Sequence, residues 1–239
     1  HKFDAVPFRV EIANAIISDF QSFSYTLLEA EQDVQGYVFT WEITNQIKVT
    51  ATIRLAKNSD EVHFYSDVQN HSEIEILSLE YPIIPNLDTI TENGVDDYLA
   101  HSFATGFRIH NPSAHFNQEW NGLRFMPYPE GFSGSSMQFF TYYGQGKGGL
   151  YFAVYDSKSF TKWLNFYKNE SGLLEASFIH GYEDIGPNKG IHAGYPVVLK
   201  LLEGNDWYEA ADLYKKWAIQ QYWCKKGELS KIDGNGKAE

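Results

Sequence analysis

The sequence has little cysteine, little positive charge and no long apolar run, and each shortage excludes a class of protein. Its 239 residues include one cysteine, Cys224. A single thiol can form neither an internal disulfide nor a cysteine-based zinc site. No apolar run approaches the roughly 20 residues that a membrane-spanning helix needs. We therefore expect no membrane partner.

The shortage of positive charge bears on nucleic acids. Lysine and arginine number 19 against 31 aspartates and glutamates, for a formal net charge of −12. Such a surface repels phosphate backbones, so we expect no nucleic-acid partner. No secretory signal is visible, but the sequence opens at His1 rather than at a methionine. The cellular location therefore stays open.

Alternating apolar residues, by contrast, are abundant. Four consecutive segments show period-two alternation or end in strand-like apolar runs: Tyr37–Ile43, Ile47–Leu55, Val62–Val68 and Ile74–Tyr81. Short polar turns separate them, which is typical of an antiparallel meander. The pattern predicts a mainly β protein, an antiparallel β-sandwich with one C-terminal helix.

The second half of the sequence adds further strands. Segments Ser136–Tyr143 and Leu150–Tyr155 flank a glycine-rich run and predict a hairpin. That run has the glycine spacing of a dinucleotide-binding loop, but a strand rather than a helix follows it, so we interpret it as a turn. Other predicted strands are Lys162–Tyr167, Leu173–Ile179, Val197–Leu202 and one or two within Tyr98–Ile109.

One helix is predicted near the C-terminus. Asp206 and Glu209 have the spacing of a capping box, and Gly227 suits the helix end. Apolar residues recur at helical spacing at Trp207, Ala210, Ala211, Tyr214, Trp217 and Ala218. We therefore divide the chain into a sandwich (1–204), a helix packed on it (205–227) and a linker or cut end (228–239).

The stretch from His110 to Gly134 lacks a clear period and predicts a long irregular excursion. Long loops inside compact domains are often functional. Trp120, Tyr128 and His110 are the candidate carbohydrate-contacting side chains, because aromatic rings in such a loop can stack on sugars. Core packing or a domain interface is nevertheless the favoured interpretation of the two aromatic rings, and a hydrogen-bonded loop residue that of His110. Trp41, which alternates within a strand, is expected in the core.

No catalytic residue or metal ligand can be assigned from spacing. A glycosidase needs two carboxylates facing each other across a sugar, and sequence alone does not pair acids from different strands. The acids in loop-like surroundings are Asp96, Asp97, Glu119, Glu130, Glu183 and Asp184. His110 and His115 lack a carboxylate at metal-ligand spacing. We therefore expect no metal and no cofactor.

Three segments resemble known families. The first, Val62–Ile76 followed by Leu79–Pro82, resembles the galactose-mutarotase-like supersandwich of many glycoside hydrolases and polysaccharide lyases. The other two are similar to an uncharacterised family of bacterial glycoside hydrolases: Gly134–Phe139 with Gly148–Phe152 and Asp156, and Asp206–Ala218 with Trp223 and Cys224. In such proteins the sandwich precedes a (β/α)₈ barrel that carries the catalytic acids.

The resemblance implies a non-catalytic sandwich module of a glycoside hydrolase, which supports the sugar site and forms part of its wall. Its expected partners are carbohydrate and the C-terminal barrel of the same parent protein, which is absent from this chain. Two alternatives stay open. A free-standing carbohydrate-binding module would rarely end in an aromatic-striped helix. A sugar epimerase or mutarotase would need a histidine and a glutamate converging on a sandwich face.

Overall fold

The computed structural model describes residues 6–28, 33–130, 133–181, 184–204 and 206–224. The strands are β1 (Arg9–Ile12), β2 (Ala15–Ile17), β3 (Ser22–Leu27), β4 (Val34–Glu42), β5 (Ile47–Ala56), β6 (Glu61–Asn70), β7 (Ile76–Leu87), β8 (Asp97–Phe103), β9 (Phe107–His110), β10 (Gly122–Tyr128), β11 (Ser135–Gly144), β12 (Gly148–Val154), β13 (Lys162–Lys168), β14 (Leu174–Gly181), β15 (Ile191–His192) and β16 (Val197–Leu202). The α-helices are α1 (Pro112–His115) and α2 (Tyr208–Ala218).

Two sheets form the predicted antiparallel sandwich. The six-stranded sheet has the order β10-β13-β14-β7-β1-β2, and the ten-stranded sheet has the order β3-β4-β5-β6-β16-β12-β11-β8-β9, with β15 beside β6. The strand pairs within the described residues are antiparallel. The predicted mainly β fold with a C-terminal helix is confirmed.

The predicted meander is strands β4 to β6, and its alternation follows burial. Trp41 pairs with Val49, which pairs with Val68, and all three side chains are buried against the other sheet. The expectation that Trp41 is a core residue is therefore confirmed. The same face becomes exposed towards Leu55, which is 40% exposed. The six-stranded sheet therefore covers part of β4 and β5, whereas β3 and the end of β5 are exposed.

Strand β7 continues to Leu87, beyond the predicted end at Tyr81. Pro82 and Pro85 have no N–H for a ladder, which normally ends a central strand. Here β1 pairs with β7 only as far as Glu80, whereas β14 accompanies β7 to Leu87. The prolines therefore lie where, among the described residues, no strand pairs with one side of β7.

The stretch from His110 to Gly134 is more regular than predicted. Residues Pro112–His115 form α1, and Gly122–Tyr128 form β10, which pairs with β13 at the edge of the six-stranded sheet. The prediction of a wholly irregular excursion is wrong there. A bulge between Leu123 and Met126 breaks the alternation that would have identified the strand.

The C-terminal helix is shorter than the predicted segment 205–227: α2 spans Tyr208–Ala218, and residues 206–207 and 219–224 are not helical. Trp207 occupies the N-cap position, and its own side chain makes no capping hydrogen bond. Asp206 instead accepts from the N–H of Tyr208 at 2.8 Å, and Glu209 accepts from the N–H of Gly204 at 2.5 Å. The predicted capping box is therefore wrong, although both acids bind backbone at the helix start. Gly227 and the predicted tail 228–239 lie outside the described residues.

Candidate functional site

The face of the ten-stranded sheet that points away from the other sheet carries α2. Ala210 is fully buried and Tyr214 is 8% exposed beneath the helix. The Tyr214 ring stacks on Phe139 of β11 at 5.0 Å between centroids. Nearer the helix end, the Trp217 ring lies parallel to Tyr155 at 5.0 Å and 7°. Stacked rings thus join the helix to the sheet at two points.

His110 lies on this same face, at the end of β9. Its ring stacks on Tyr98 at 4.9 Å, and Tyr98 stacks on Tyr143 at 5.5 Å. Nε2 of His110 donates to the carbonyl oxygen of Val95 at 2.5 Å. The guanidinium of Arg108 covers the Tyr98 ring at 5.0 Å. His110 is exposed, but a hydrogen bond and a ring hold its orientation.

Trp120 lies in the turn before β10 and is 47% exposed. Its ring meets Phe116 edge-on at 5.2 Å. The side chain of Asn117 accepts from the N–H of Trp120 at 3.1 Å, and the Asn117 N–H donates back to the Trp120 carbonyl at 2.9 Å. This closed turn presents about half of the indole to solvent.

Tyr128 ends β10 on the inner face, and the structure buries it. It is 9% exposed, with the ammonium of Lys162 over its ring at 4.8 Å. Burial raises the pKa of its hydroxyl, and Ser159 Oγ lies 3.3 Å from that oxygen. Tyr128 is therefore a core residue, as the core-packing interpretation holds. Strand β10 also separates it from Trp120 by about 20 Å, so the two rings cannot hold one sugar unit.

Glu61 and His63 are the acid and the histidine that come together beside α2. Both lie on β6, and His63 Nε2 is 3.1 Å from Glu61 Oε2. Contact with His63 lowers the pKa of the Glu61 carboxyl against the opposing effect of partial burial. The two groups neighbour each other on one strand rather than facing each other across a cleft. They bond to each other, which is unlike an acid and a base acting on opposite sides of a sugar.

Two other carboxylates converge on the outer face of the six-stranded sheet. Arg9 of β1 contacts Glu80 of β7 at 2.9 Å and Glu175 of β14 at 3.2 Å. Burial alone would lower the pKa of the Arg9 guanidinium, but Glu80, Tyr167 and Glu175 together raise it. The guanidinium therefore stays charged between the two acids. None of these residues was a candidate site residue in the sequence, although Glu80 lies within the segment Leu79–Pro82.

Among the acids in loop-like sequence, for which solvent exposure was the expectation, Asp97 is the exception. Asp97 is fully buried and accepts from the backbone N–H of Ile90 at 2.9 Å and of Thr91 at 2.8 Å. It holds the turn before β8 and is inaccessible to a ligand. Glu119 and Glu130 are exposed, and Glu183 lies outside the described residues.

A buried ion pair lies between the sheets. Lys162 is fully buried, and its ammonium contacts Asp156 at 2.7 Å. Burial lowers the pKa of Lys162 to about 8, although Asp156 acts in the opposite direction. Asp156 also accepts from the backbone N–H of Lys158 at 2.7 Å and of Phe160 at 2.6 Å. These bonds fix the connection between β12 and β13, so the pair has a structural role.

Two negative findings concern metals and membranes. Among the residues that the structure describes, no group of three or more histidine, cysteine or acidic side chains is placed to hold a metal ion. Within the same ranges, no helix has the length and apolar character to span a bilayer.

Comparison with solved structures identifies enzymes that share this fold. The α-N-acetylgalactosaminidase NagBb of Bifidobacterium bifidum, in complex with GalNAc, matches 91% of this chain with a TM-score of 0.64 and 12% identity. The GH36 α-galactosidases AgaB and AgaA of Geobacillus stearothermophilus each match 85% of the chain with a TM-score of 0.52, at 10% and 11% identity. No family model and no curated protein matches the sequence.

These matches cover most of this chain but only a minority of each enzyme. The chain spans 34% of NagBb and 30% of each α-galactosidase. At such identities the likeness shows the fold alone. This chain therefore has the fold of about a third of each glycoside hydrolase that it matches.

Proposed function

We propose that this chain is a non-catalytic β-sandwich module of a glycoside hydrolase, which supports the catalytic part of the enzyme and forms part of the wall of its carbohydrate site. The observation that carries the proposal is the fold match, which takes in nine-tenths of this chain but only a third of the enzymes. The remaining two-thirds of each enzyme have no counterpart in this chain.

The docked helix supports the scaffold part of the proposal. Aromatic stacking at Phe139 and Tyr155 holds α2 against the sheet, so the helix has one defined position. In our proposal α2 sets the direction in which a C-terminal (β/α)₈ barrel of the same parent protein continues. The sandwich (1–204), the segment that contains α2 (205–227) and the tail (228–239) then act as support, joint and linker.

The exposed residues of the segment before β10 support the wall part of the proposal. Trp120 presents an exposed ring on a closed turn, and His110 is an exposed side chain at the end of β9, just before α1 in the chain. In this proposal Tyr128 does not touch sugar; it packs between the sheets and supports the end of β10. We propose Trp120 and His110 as the side chains that meet sugar in the complete enzyme.

A glycosidase assay tests the absence of catalysis. The isolated chain, at high concentration, is incubated with 4-nitrophenyl α- and β-glycosides of galactose, glucose and N-acetylgalactosamine. We expect no nitrophenol release above that of a heat-denatured sample. Turnover that disappears in Glu80→Gln or Glu175→Gln, but persists in the control Glu73→Gln at an exposed residue outside the groove, would overturn the proposal, because Glu80 and Glu175 converge at Arg9.

A further inference from the structure

A polar groove of about 490 Å³ opens on the outer face of the six-stranded sheet, on the opposite side of the sandwich from α2. Its volume falls within the range of small-molecule sites, roughly 300–1,000 Å³. Five neighbouring strands contribute to its lining through Arg9, Glu80, Glu175, Tyr167 and Arg124. The sheet itself, and not a loop, therefore positions the polar groups.

The floor of the groove is hydrogen-bonded in advance. Glu175 is 3% exposed. Its carboxylate accepts from Arg9 at 3.2 Å, from the hydroxyl of Tyr167 and from the side-chain amide of Asn169 at 3.4 Å. Groups held in this way need no reordering when a ligand binds, which lowers the entropic cost of binding.

An aromatic ring stands at the rim. Phe125 lies at the bulge in β10, with a φ of 56°, and is 58% exposed. Bulky residues seldom adopt this left-handed conformation. Its N–H donates to the side-chain oxygen of Asn165 at 2.6 Å, and Asn165 is 2% exposed and donates to Ser177 at 3.2 Å. A buried amide thus holds the bulge that brings Phe125 to the rim.

Arg124 joins the rim to the floor. Its guanidinium lies 5.2 Å from the ring centre of Phe125 and 4.5 Å from that of Tyr167. The three side chains place flat, polarisable surface beside the carboxylates of Glu80 and Glu175. A flat apolar surface next to planar hydrogen-bonding groups matches a pyranose, whose ring C–H bonds stack on aromatics and whose hydroxyls both donate and accept.

The net negative charge of the groove lining disfavours anionic ligands. Four carboxylates, from Glu11, Glu80, Glu170 and Glu175, exceed the three cations of Arg9, Arg124 and Lys168. Arg9 is moreover engaged by two of these acids. An anionic ligand would meet net repulsion, whereas hydroxyl groups can donate to the carboxylates.

We propose that this groove binds an uncharged saccharide, with a sugar ring on Phe125 and hydroxyl groups on Arg124, Glu80 and Glu175. The inference goes beyond the proposed function, because the groove is formed by this chain alone and lies away from α2 and from His110. It requires no catalytic domain.

Titration of the isolated chain tests the proposal. The probes are maltotriose, cellotriose and raffinose as neutral trisaccharides and sialyllactose as the anionic one, observed by saturation-transfer NMR and isothermal calorimetry. We expect saturable, millimolar binding of at least one neutral trisaccharide, and none of sialyllactose. Absence of saturable binding by all three neutral sugars, or binding of sialyllactose alone, would overturn the proposal.

Variants locate the binding. Phe125→Ala and Arg124→Ala each remove part of the stacking surface, so we expect affinity to fall about tenfold. Tyr222→Ala, which removes a ring that is 70% exposed elsewhere, should leave affinity unchanged. Circular dichroism verifies that each variant is folded. If Phe125→Ala does not fold, the test rests on Arg124→Ala. Sugar binding that resists both groove variants but is lost in Trp120→Ala would place the site elsewhere and overturn this proposal.

The two proposals fail separately. Nitrophenol release by the isolated chain contradicts the non-catalytic function and leaves groove binding to be measured on its own. Loss of groove binding, in turn, leaves the accessory role intact.

Discussion

The two outer faces of the sandwich are built in opposite ways. On the ten-stranded sheet, the outward side chains of Phe139, Tyr151 and Ala153 are buried because α2 covers them. On the six-stranded sheet, Arg9, Glu80 and Glu175 bond to one another and border an open groove.

The difference shows what decides whether a sheet face acquires a further layer. Apolar side chains at outward positions need a cover, and an 11-residue helix is marginal in water unless it packs on such a surface. Polar side chains that satisfy one another need no cover. The first face is therefore suited to fixing the position of an attached element, and the second to binding a small ligand.

Removing a helix anchor tests the covered face, and we expect the largest effect there. Trp217→Ala should lower the free energy of unfolding of this chain by about 2–4 kcal/mol, because it deletes the ring stacked on Tyr155. Trp223→Ala, which loses an edge contact with Trp217, should cost about 1 kcal/mol or less. Urea denaturation measures both. Equal, small losses would mean that α2 contributes little to stability.

Removing a charge tests the groove. Glu175→Gln should cost about 1–2 kcal/mol, because an amide replaces the carboxylate that accepts from Arg9, Tyr167 and Asn169. The same change at exposed Glu170 should cost less than about 0.5 kcal/mol. A loss at Glu175 no larger than at Glu170 would show that the groove network is not preformed in solution.

Acidification tests the interior between the two faces. Burial lowers the pKa of His180 to about 4, against a hydrogen bond with the Tyr81 carbonyl that acts to raise it. The unfolded chain takes up this proton near pH 6.5 and the folded chain only near pH 4, so stability falls as pH drops through that window. The slope from this residue should approach about 1.4 kcal/mol per pH unit.

His180→Gln should remove that part of the slope, whatever its effect on stability at neutral pH. His71→Gln, on the exposed side of a turn, is the matched control. Unfolding free energies between pH 5 and 6.5 give the comparison. An unchanged slope in His180→Gln would show that folding does not lower the pKa of this histidine.

The smallest effect is expected at Trp120. Trp120→Ala should change the stability of this chain by less than about 1 kcal/mol, since half of the ring is already exposed. In the complete enzyme that we propose, the same substitution should raise KM without a matching loss of folding. A collapse of the isolated chain would instead make Trp120 a core residue, and the proposed sugar wall would lose its main side chain.

Predictability differed between strands and sites. Period-two alternation was sufficient to locate β4, β5, β6 and most of the later strands, because it depends only on which face is buried. It failed at β10, where the bulge at Phe125 interrupts the period, and at β1 to β3, which were not predicted. The run Arg9-Val-Glu-Ile12 does alternate, so β1 left a signal, but a short one.

The groove could not be predicted from the sequence for a different reason. Arg9 and Glu175 are 166 positions apart, and no local pattern reports that β1 and β14 flank β7. Tyr128 shows the same limitation. It lies in the predicted excursion, and nothing in the local sequence indicates that β10 directs its side chain into the core. Residue type indicated what chemistry a side chain can perform, but not its neighbours.

The sequence by itself determined the antiparallel β class, the hairpin at the glycine-rich run and a helix that requires an apolar surface, because each depends on the local order of polar and apolar residues. Only the tertiary structure decided which sheet the helix covers, which acids meet Arg9 and where Phe125 stands. Those outcomes depend on strand order, and strand order results from pairing between distant segments that compete to bury a common core.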